Sequence, residues 1–358
     1  MRIAIVTSFF PPDRVAGAEL GALFMANHFS KLGHEVHLVI TRPKDRNRES
    51  IEQRNGLTIH WLNGPRPKGL AFLFEVREAL KVVSEINPDA INGNCLLPGG
   101  LVAHLGSKHG IRASVLCYGY DVTDMKGVVG AIGKWTLRKI QNLGVATQYC
   151  QGVVKNHSGR DGKIYLAGCD EKVFPHLPYR KPGKHIQLLF IGRLIPEKGF
   201  DFLLHLMSQL PDKVCLKVAG GGEQIASYQK IVGEMNLRTR VEFLGLVPNK
   251  ELSNLFSKSD ALILPSYREP FGVVCIEAIL SGVPVVCSEV MGLPEAVENE
   301  KNGVVVSGRD SETWCKAILR VVEDEVFRKA IHQRGRELRD HWSWSTRLKD
   351  MESLILGE

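Results

Sequence analysis

Short apolar runs alternate with amphipathic helical stretches along the whole chain, and that alternation leaves few folds open. In the first half the strand-like runs are Arg2–Ser8, Glu35–Ile40, Leu57–Leu62, Ala90–Asn92 and Ala113–Cys117. Between them, Glu19 to Leu32 carries Leu20, Leu23, Phe24 and Leu32 at helical spacing, with Gly33 as a C-terminal cap. Leu70 to Ile86 reads as a second helix, stopped by Pro88. The second half repeats the theme with Ile186–Ile191, Val214–Ala219, Val241–Leu244, Ala261–Leu264, Val283–Cys287 and Val304–Val306, and is helical after Ser311. Strands that alternate with helices predict parallel sheets covered by helices on both faces. The expected class is α/β, with two doubly wound domains facing a cleft.

A length of 358 residues is enough for about two such domains. The Pro-rich, polar stretch Asp170 to Lys184 is the natural boundary. With 44% hydrophobic and 24% charged residues, the chain is not disordered, collagenous or a coiled coil. No window approaches the ~18 uninterrupted apolar residues of a membrane span. Ile3 to Phe10 is short, stops at Pro11-Pro12 and lacks a small-residue cleavage site, so it reads as a first strand and not as a signal peptide. The eight cysteines show no CxxC spacing and mostly fall in apolar runs. They are expected to be buried thiols of a reducing, cytoplasmic compartment, without a zinc site or disulfide framework. The sequon at Asn156-His157-Ser158 is then a chance occurrence.

Charge is unevenly distributed. Residues 1–173 hold 22 basic against 15 acidic residues, whereas 174–358 hold 24 of each, so the whole net charge of +7 lies in the first half. An anionic partner of that half is implied: an acidic acceptor, a membrane surface or nucleic acid. Arg42, Lys44, Arg46, Arg48 and Arg54 form one run, diluted by Asp45, Glu49 and Glu52. Arg66 and Lys68 precede the apolar Leu70–Phe74, and Lys126, Lys134, Arg138 and Lys139 flank Val128, Val129, Ile132 and Trp135. The last two groups suit a basic-rimmed amphipathic surface on an anionic bilayer. The alternative is apolar residues packed in the core beneath solvated cations. Nucleic acid is disfavoured, because the basic excess has no aromatic-rich binding motif or docking module with it.

The residues with chemistry in them cluster after strands. Gly192-Arg193-Leu194-Ile195-Pro196-Glu197-Lys198-Gly199 follows one apolar run and precedes the helix Phe200–Leu210. Arg193 offers a planar fork and Lys198 a point charge, and the pair suits a diphosphate. Further on, Glu269 lies in the turn after Ala261–Leu264, and Phe271, Gly272, Val273 and Val274 open a helix that carries Glu277. Free amides and the helix dipole make such an N-terminus an anion site. Glu277, flanked by Ile276 and Ala278 on an apolar helix, needs hydrogen-bond donors, which ribose hydroxyls would supply. A third loop, Pro11 to Glu19 with Gly17, follows the first strand. Gly220-Gly221-Gly222 is a weaker signal that a tight turn also explains. Taken singly, surface charge for Arg193 and Lys198 and a backbone-capping role for Glu277 stay open.

In this order and spacing, Gly192-Arg193…Glu197-Lys198-Gly199 and Glu269-x7-Glu277 resemble the retaining nucleotide-sugar glycosyltransferases of glycosyltransferase family 4, which have the GT-B fold of two Rossmann-like domains. The resemblance runs on through Gly245-Leu246-Val247, Pro265-Ser266, Gly282-Val283-Pro284, Gly292-Leu293-Pro294-Glu295 and Asn302-Gly303. It implies an acceptor-binding domain at 1–172, a donor-binding domain at 173–341, and a final helix at 342–358 that returns to the first domain. It also implies that Arg193 and Lys198 neutralise the donor diphosphate and that Glu277 holds the ribose. Glu269 and the backbone of Phe271, Gly272, Val273 and Val274 would hold the sugar. Val247 would face the base, and Gly17 and Gly192 would approach the phosphates. Relatives often have a histidine-containing segment where this chain has Asn92-Gly93-Asn94, and a His-Gly pair, its histidine near the reacting sugar, where this chain has Tyr118-Gly119; Asn94, Tyr118 and Asp121 just beyond are the acceptor-side candidates.

The implied reaction transfers a hexosyl group with retention. The leaving diphosphate accepts the acceptor's proton, so no protein base is obligatory. No Asp-x-Asp motif is present, so no metal and no other cofactor is expected. A UDP-sugar is the favoured donor and GDP-mannose the next. The acceptor would be a carbohydrate or a lipid-linked intermediate of cell-envelope glycan, lipopolysaccharide or glycolipid synthesis, or a small soluble alcohol. A GT-B-fold sugar-nucleotide epimerase and a non-catalytic nucleotide-binding subunit are the rival readings. The expected location is cytoplasmic, with peripheral attachment to the inner face of the plasma membrane.

Overall fold

A computed structural model describes residues 1–14, 17–64, 71–107 and 110–357. The chain divides into two units, Met1–Gly168 with Trp344–Glu358, and Cys169–Ser343.

The first unit runs β1 (Arg2–Thr7), α1 (Gly17–Lys31), β2 (Glu35–Ile40), β3 (Ile51–Arg54), β4 (Leu57–Trp61), α2 (Ala71–Ile86), β5 (Ala90–Asn94), a tight helical turn at Leu96–Gly100, α3 (Leu101–Gly106), β6 (Arg112–Cys117), α4 (Tyr120–Thr123), α5 (Gly127–Lys139), β7 (Asn142–Val145), α6 (Gln148–Ser158) and β8 (Lys163–Ile164). Its sheet has the order β3-β4-β2-β1-β5-β6-β7-β8. Only the β3–β4 pair is antiparallel. Central strands such as β1 and β5 are buried on both faces, which is why they read as near-continuous apolar runs. Val76, Ala79 and Val83 of α2 pack on Ala4, Val6 and Val39 to form one face of the core.

The second unit runs β9 (Ile186–Ile191), a 3₁₀ turn at Pro196–Lys198, α7 (Phe200–Gln209), β10 (Val214–Ala219), α8 (Ile225–Glu234), β11 (Val241–Gly245), α9 (Asn249–Ser257), β12 (Ala261–Leu264), α10 (Val273–Leu280), β13 (Val285–Ser288), α11 (Leu293–Ala296), β14 (Val304–Val306), α12 (Ser311–Glu323), α13 (Glu325–Glu337) and α14 (Arg339–Trp342). The sheet is parallel in the order β11-β10-β9-β12-β13-β14, the doubly wound arrangement with its order reversal between β9 and β12. In the first unit the reversal lies between β1 and β5.

The final helix, α15 (Trp344–Leu356), belongs to the first unit, where it packs on α1, β5, β6 and β7. Trp344 stacks on Phe24 at 5.0 Å between ring centroids, and His28 meets Glu352 at 2.7 Å. Trp342 is buried in the second unit against Phe271. Both tryptophans are packing residues in their own units.

Departures from the sequence reading have local causes. β3 is a short polar edge strand, Ile-Glu-Gln-Arg, with no apolar run to reveal it. β7 is four residues long and carries Gly144. β13 begins at Val285 and not at Val283, because Pro284 has no N–H to give the ladder and contributes only its carbonyl, to Leu262. All eight cysteines are free thiols. Among the described residues no helix is long and apolar enough to cross a membrane, and no group of three or more His, Cys, Asp or Glu side chains converges to hold a metal ion.

Candidate active site

The loops that leave β9 and β12, on either side of the order reversal in the second unit, carry the predicted charges. After β9 the chain passes Gly192 and the exposed Arg193, then turns at Pro196–Lys198. Arg193 has no side-chain partner among the described residues. Lys198, by contrast, is buried and its ammonium forms an ion pair with the Glu269 carboxylate. The two side chains come from turns after different strands and meet because those turns are locked together. The backbone amides of Tyr267 and Arg268 both donate to the Glu197 carbonyl, at 2.8 and 3.1 Å. Gly199 has φ of +64°, and a Cβ there would stand 1.9 Å from the Pro265 carbonyl oxygen. Only glycine serves at that contact.

Behind Glu269, Gly272 (φ +85°) starts α10. A Cβ on Gly272 would strike Leu293 at 2.4 Å and come within 3.6 Å of the Glu269 Cγ. Val273 and Val274 open the first turn of α10, which has no side-chain cap, so their amides have no partner within the helix. Phe271 is buried against Trp342 and acts as an anchor for this turn.

Glu277 is buried on α10, and its carboxyl receives no hydrogen bond from any described residue. Burial alone pushes its carboxyl up to about 8. It caps no neighbouring backbone. An acid isolated in this way, on the helix that begins beside Glu269 and Lys198, suits a ligand that brings its own hydroxyl donors. Burial and the nearby Glu277 also push the Cys169 thiol far up.

Gly220-Gly221-Gly222 proves to be more than a loose turn. The Gly192 amide donates to the Ala219 carbonyl at 3.0 Å and the Leu194 amide to the Gly221 carbonyl at 2.9 Å, so the glycine run backs the Arg193 loop. Val247 follows β11 and is half-buried beside the exposed Leu246, whose side chain lies 3.2 Å from a Cβ built on Gly221. The Val247 segment and the Arg193 loop thus flank the same three glycines.

Sequence reasoning missed Arg309, between β14 and α12. Its guanidinium donates to the carbonyls of Pro265 at 2.8 Å and Ser266 at 2.6 Å, and lies 4.2 Å over the Tyr267 ring. No motif marks it. An arginine after a glycine at a strand end was the only signal.

In the first unit, Gly17 opens α1 and is exposed, while Val15 and Ala16 of the same loop lie outside the described residues. Asn94 at the end of β5 is buried. Its amide donates to Thr7 Oγ1 at 3.3 Å and to the Ala18 carbonyl at 3.0 Å, and its Oδ1 accepts from Tyr118 Oη at 2.7 Å. Three strand ends and α1 are joined in this network. Burial pushes the Tyr118 phenol well above its ordinary value, so it stays protonated and is no base near neutral pH. Asp121 accepts from the amides of Leu96, Tyr118 and Gly119, at 3.0, 3.0 and 2.8 Å. Its carboxylate ties the β5 and β6 turns together.

Comparison with known proteins agrees with this architecture. Residues 16–147 match the glycosyl transferase 4-like domain and residues 176–338 match glycosyl transferases group 1. An uncharacterized glycosyltransferase of Methanocaldococcus jannaschii is 24% identical over 98% of this chain and 96% of its own. A D-inositol 3-phosphate glycosyltransferase of Corynebacterium efficiens is 30% identical, over 46% of this chain and 41% of its own length. The match therefore spans less than half of that relative. Among solved structures, sucrose-phosphate synthase from Thermosynechococcus elongatus superposes with a TM-score of 0.86 at 21% identity, covering 99% of this chain and 98% of that one. HepE of Anabaena, in complex with UDP and glucose, gives 0.80 at 19% identity over 99% and 98%. WaaG, a glycosyltransferase involved in lipopolysaccharide biosynthesis, gives 0.80 at 17% over 99% and 100%.

The fold and the two family matches define a glycosyltransferase of the GT-B type that acts on nucleotide sugars. The chain belongs to the family-4-like glycosyltransferases of that fold.

Proposed function

We propose that this glycosyltransferase moves a hexosyl group, with retention, from a UDP-sugar to an acceptor hydroxyl in the assembly of cell-envelope glycan, lipopolysaccharide or glycolipid. The observation that carries the donor half is the isolated Glu277 carboxyl on the helix that starts beside the Lys198–Glu269 pair. Glu277 accepts the ribose hydroxyls. Arg193 and Lys198, with the first amides of α10, take the negative charge that builds on the diphosphate as the sugar–phosphate bond breaks. Glu269 orients both Lys198 and the sugar. Gly17 and Gly192 let backbone approach the phosphates, and Val247 lies against the base. The acceptor oxygen bonds to the anomeric carbon on the face that the diphosphate leaves, and its proton passes to the departing phosphate oxygen. Asn94 and Tyr118 line the acceptor side without acting as a base, and Asp121 holds their turn.

The UDP preference draws on HepE, which is described with UDP and glucose, and the envelope role on WaaG. Thermal-shift titration with UDP-, GDP- and ADP-sugars tests the donor. The expected result is a rise in melting temperature with UDP-sugars that GDP- and ADP-sugars do not match. A flat response to all three classes overturns the reading.

The same proposal sets the enzyme on the cytoplasmic face of an anionic membrane through α5. Gly130, Gly133, Thr136 and Leu137 form the buried face of this helix. Val128, Val129 and Trp135 are exposed, with Lys126, Arg138 and Lys139 around them. Apolar contact with a basic rim matches an anionic headgroup layer. The second predicted element is only partly in view: Leu73 on α2 is exposed, while Arg66, Lys68 and Leu70 lie outside the described residues. The run from Arg42 to Arg54 contributes less, because Arg42 pairs with Glu75, Arg48 with Asp13 and Arg54 with Glu52. Co-sedimentation with phosphatidylglycerol vesicles is expected to be strong at low salt, and to fall with added salt or with Val128→Asp/Val129→Asp. Binding that ignores lipid charge and salt would sink the electrostatic reading.

A further inference from the structure

We propose that Arg309 is a positioning residue for the transfer reaction, fixing the 265–266 turn and through it the Lys198–Glu269 pair. The inference rests on the donor-site reading above. The turn after β12 is held from two sides. On one side its amides at Tyr267 and Arg268 are committed to the Glu197 carbonyl, one residue before Lys198, and the Pro265 carbonyl abuts the backbone of Gly199. On the other side the consecutive carbonyls of Pro265 and Ser266 receive the two terminal nitrogens of Arg309, one each. A planar fork is suited to two neighbouring carbonyls; a lysine ammonium has one nitrogen on a mobile stem.

Arg309 is itself immobilised. Asp310, the next residue, caps α12 by accepting the Thr313 amide at 2.8 Å, and Trp314 Nε1 donates to the Gly308 carbonyl at 3.2 Å. The guanidinium is bracketed by the rings of Tyr267 at 4.2 Å and Phe202 at 5.2 Å. The Tyr267 hydroxyl in turn donates to Asp201 on α7, at 3.0 Å. α7 is the helix that the Lys198 turn feeds. The result is a closed ring of contacts: β14 end, β12 turn, β9 turn, α7. Two turns from different strands are held in one register, and Lys198 and Glu269 sit at the point where they meet.

The test compares wild type, Arg309→Lys and Arg309→Ala in the full chain. UDP-glucose turnover, as hydrolysis or transfer, is measured together with melting temperature and amine footprinting of Lys198. Arg309→Lys keeps charge and bulk, so its melt stays near wild type. Its kcat is expected to fall by about 100-fold, with KM for UDP-glucose changed far less, because a small misplacement of a charge-stabilising group acts on the transition state. Lys198 labelling rises in both variants. Millimolar guanidinium restores part of the lost kcat in Arg309→Ala and none in Arg309→Lys, whose own side chain fills the slot. Wild-type kcat and unchanged Lys198 labelling in Arg309→Lys overturn the proposal. So does a loss in Arg309→Ala that follows the unfolded fraction and is not rescued. Should wild type neither bind nor turn over any nucleotide sugar, the donor-site reading fails, and the Lys198 labelling still reports whether Arg309 holds the pair.

Discussion

Replacing Lys198 with alanine is expected to lower kcat by about 100- to 1,000-fold, the range for removing one preorganised group that meets developing charge. The direction follows from two effects that add. In the proposed donor site the cation facing the diphosphate is lost, and Glu269, largely buried, is left without the ammonium that pairs with it. An unopposed carboxylate then stands where phosphate charge must accumulate. Lys198→Ala/Glu269→Gln should therefore recover part of the donor affinity lost in Lys198→Ala, and the double-mutant cycle should show strong coupling. Arg193 gives the contrast. It is exposed and without a described partner, so Arg193→Ala should leave the melting temperature unchanged while still lowering turnover. Initial rates with a saturating donor and a parallel thermal melt decide the matter. Wild-type kcat in folded Lys198→Ala would sink the assignment of charge stabilisation to this loop.

The contrast between Lys198 and Arg193 also marks how far the sequence could be read. Both appear as cations at a strand end, and nothing in Gly192–Gly199 tells which one is paired. The partner, Glu269, is fixed by β9 and β12 lying side by side, a long-range pairing that local pattern does not encode. The strands themselves were legible because a parallel strand buried on both faces is an apolar run with polar turns at each end. β3 and β7 escaped for the complementary reason, one being polar at a sheet edge and the other short. Arg309 was invisible because it works on carbonyl oxygens, which every residue has, about forty positions from its target. Asp121 was visible as a carboxylate near the predicted acceptor, but its three backbone donors could not be foreseen from residue types.

The same limit bears on charge. The excess of the first half suggested an anionic partner for that half. The run from Arg42 to Arg54 instead supports the fold: Arg48 pairs with Asp13 and lies 4.1 Å over Trp61, and Arg54 donates to the Pro11 carbonyl at 3.0 Å. Cations that brace the β1 loop are weakly available to a partner. The α5 face is different in kind, since Val128, Val129 and Trp135 are exposed while Gly130, Gly133, Thr136 and Leu137 form its buried side. Composition counts both groups alike; only burial separates them.

Glu277→Gln is expected to shift stability and donor affinity in opposite directions. In the unliganded protein, burial without donors pushes the carboxyl up to about 8, far above the ordinary carboxylate range. Below about pH 4.5 the folded and unfolded chains are both protonated and the group costs nothing. As pH rises from there towards about 8, the unfolded chain ionises first and the folded state loses stability, at roughly 1.4 kcal/mol per pH unit as an upper slope. Above that window the loss is complete and levels off. Glutamine does not titrate, so the melting temperature of Glu277→Gln should exceed that of wild type by a margin that grows from about pH 5 to about pH 8. Donor binding should show the reverse. Two ribose hydroxyls donate best to the ionised carboxylate, so binding expels the proton, and wild-type affinity for a UDP-sugar should strengthen by up to about tenfold per pH unit until it levels near pH 8. The glutamine amide offers one acceptor and presents an N–H to the second hydroxyl. Its affinity should be flat with pH and, near pH 8, weaker than wild type by about 10- to 100-fold, the worth of a hydrogen bond to a charged group. Calorimetric titration of both proteins from about pH 6 to about pH 8 reads the two slopes, and the diphosphate diester of the donor does not itself titrate there. A wild-type affinity that is flat across this range, or a glutamine variant that binds as tightly as wild type near pH 8, would remove Glu277 from the donor site.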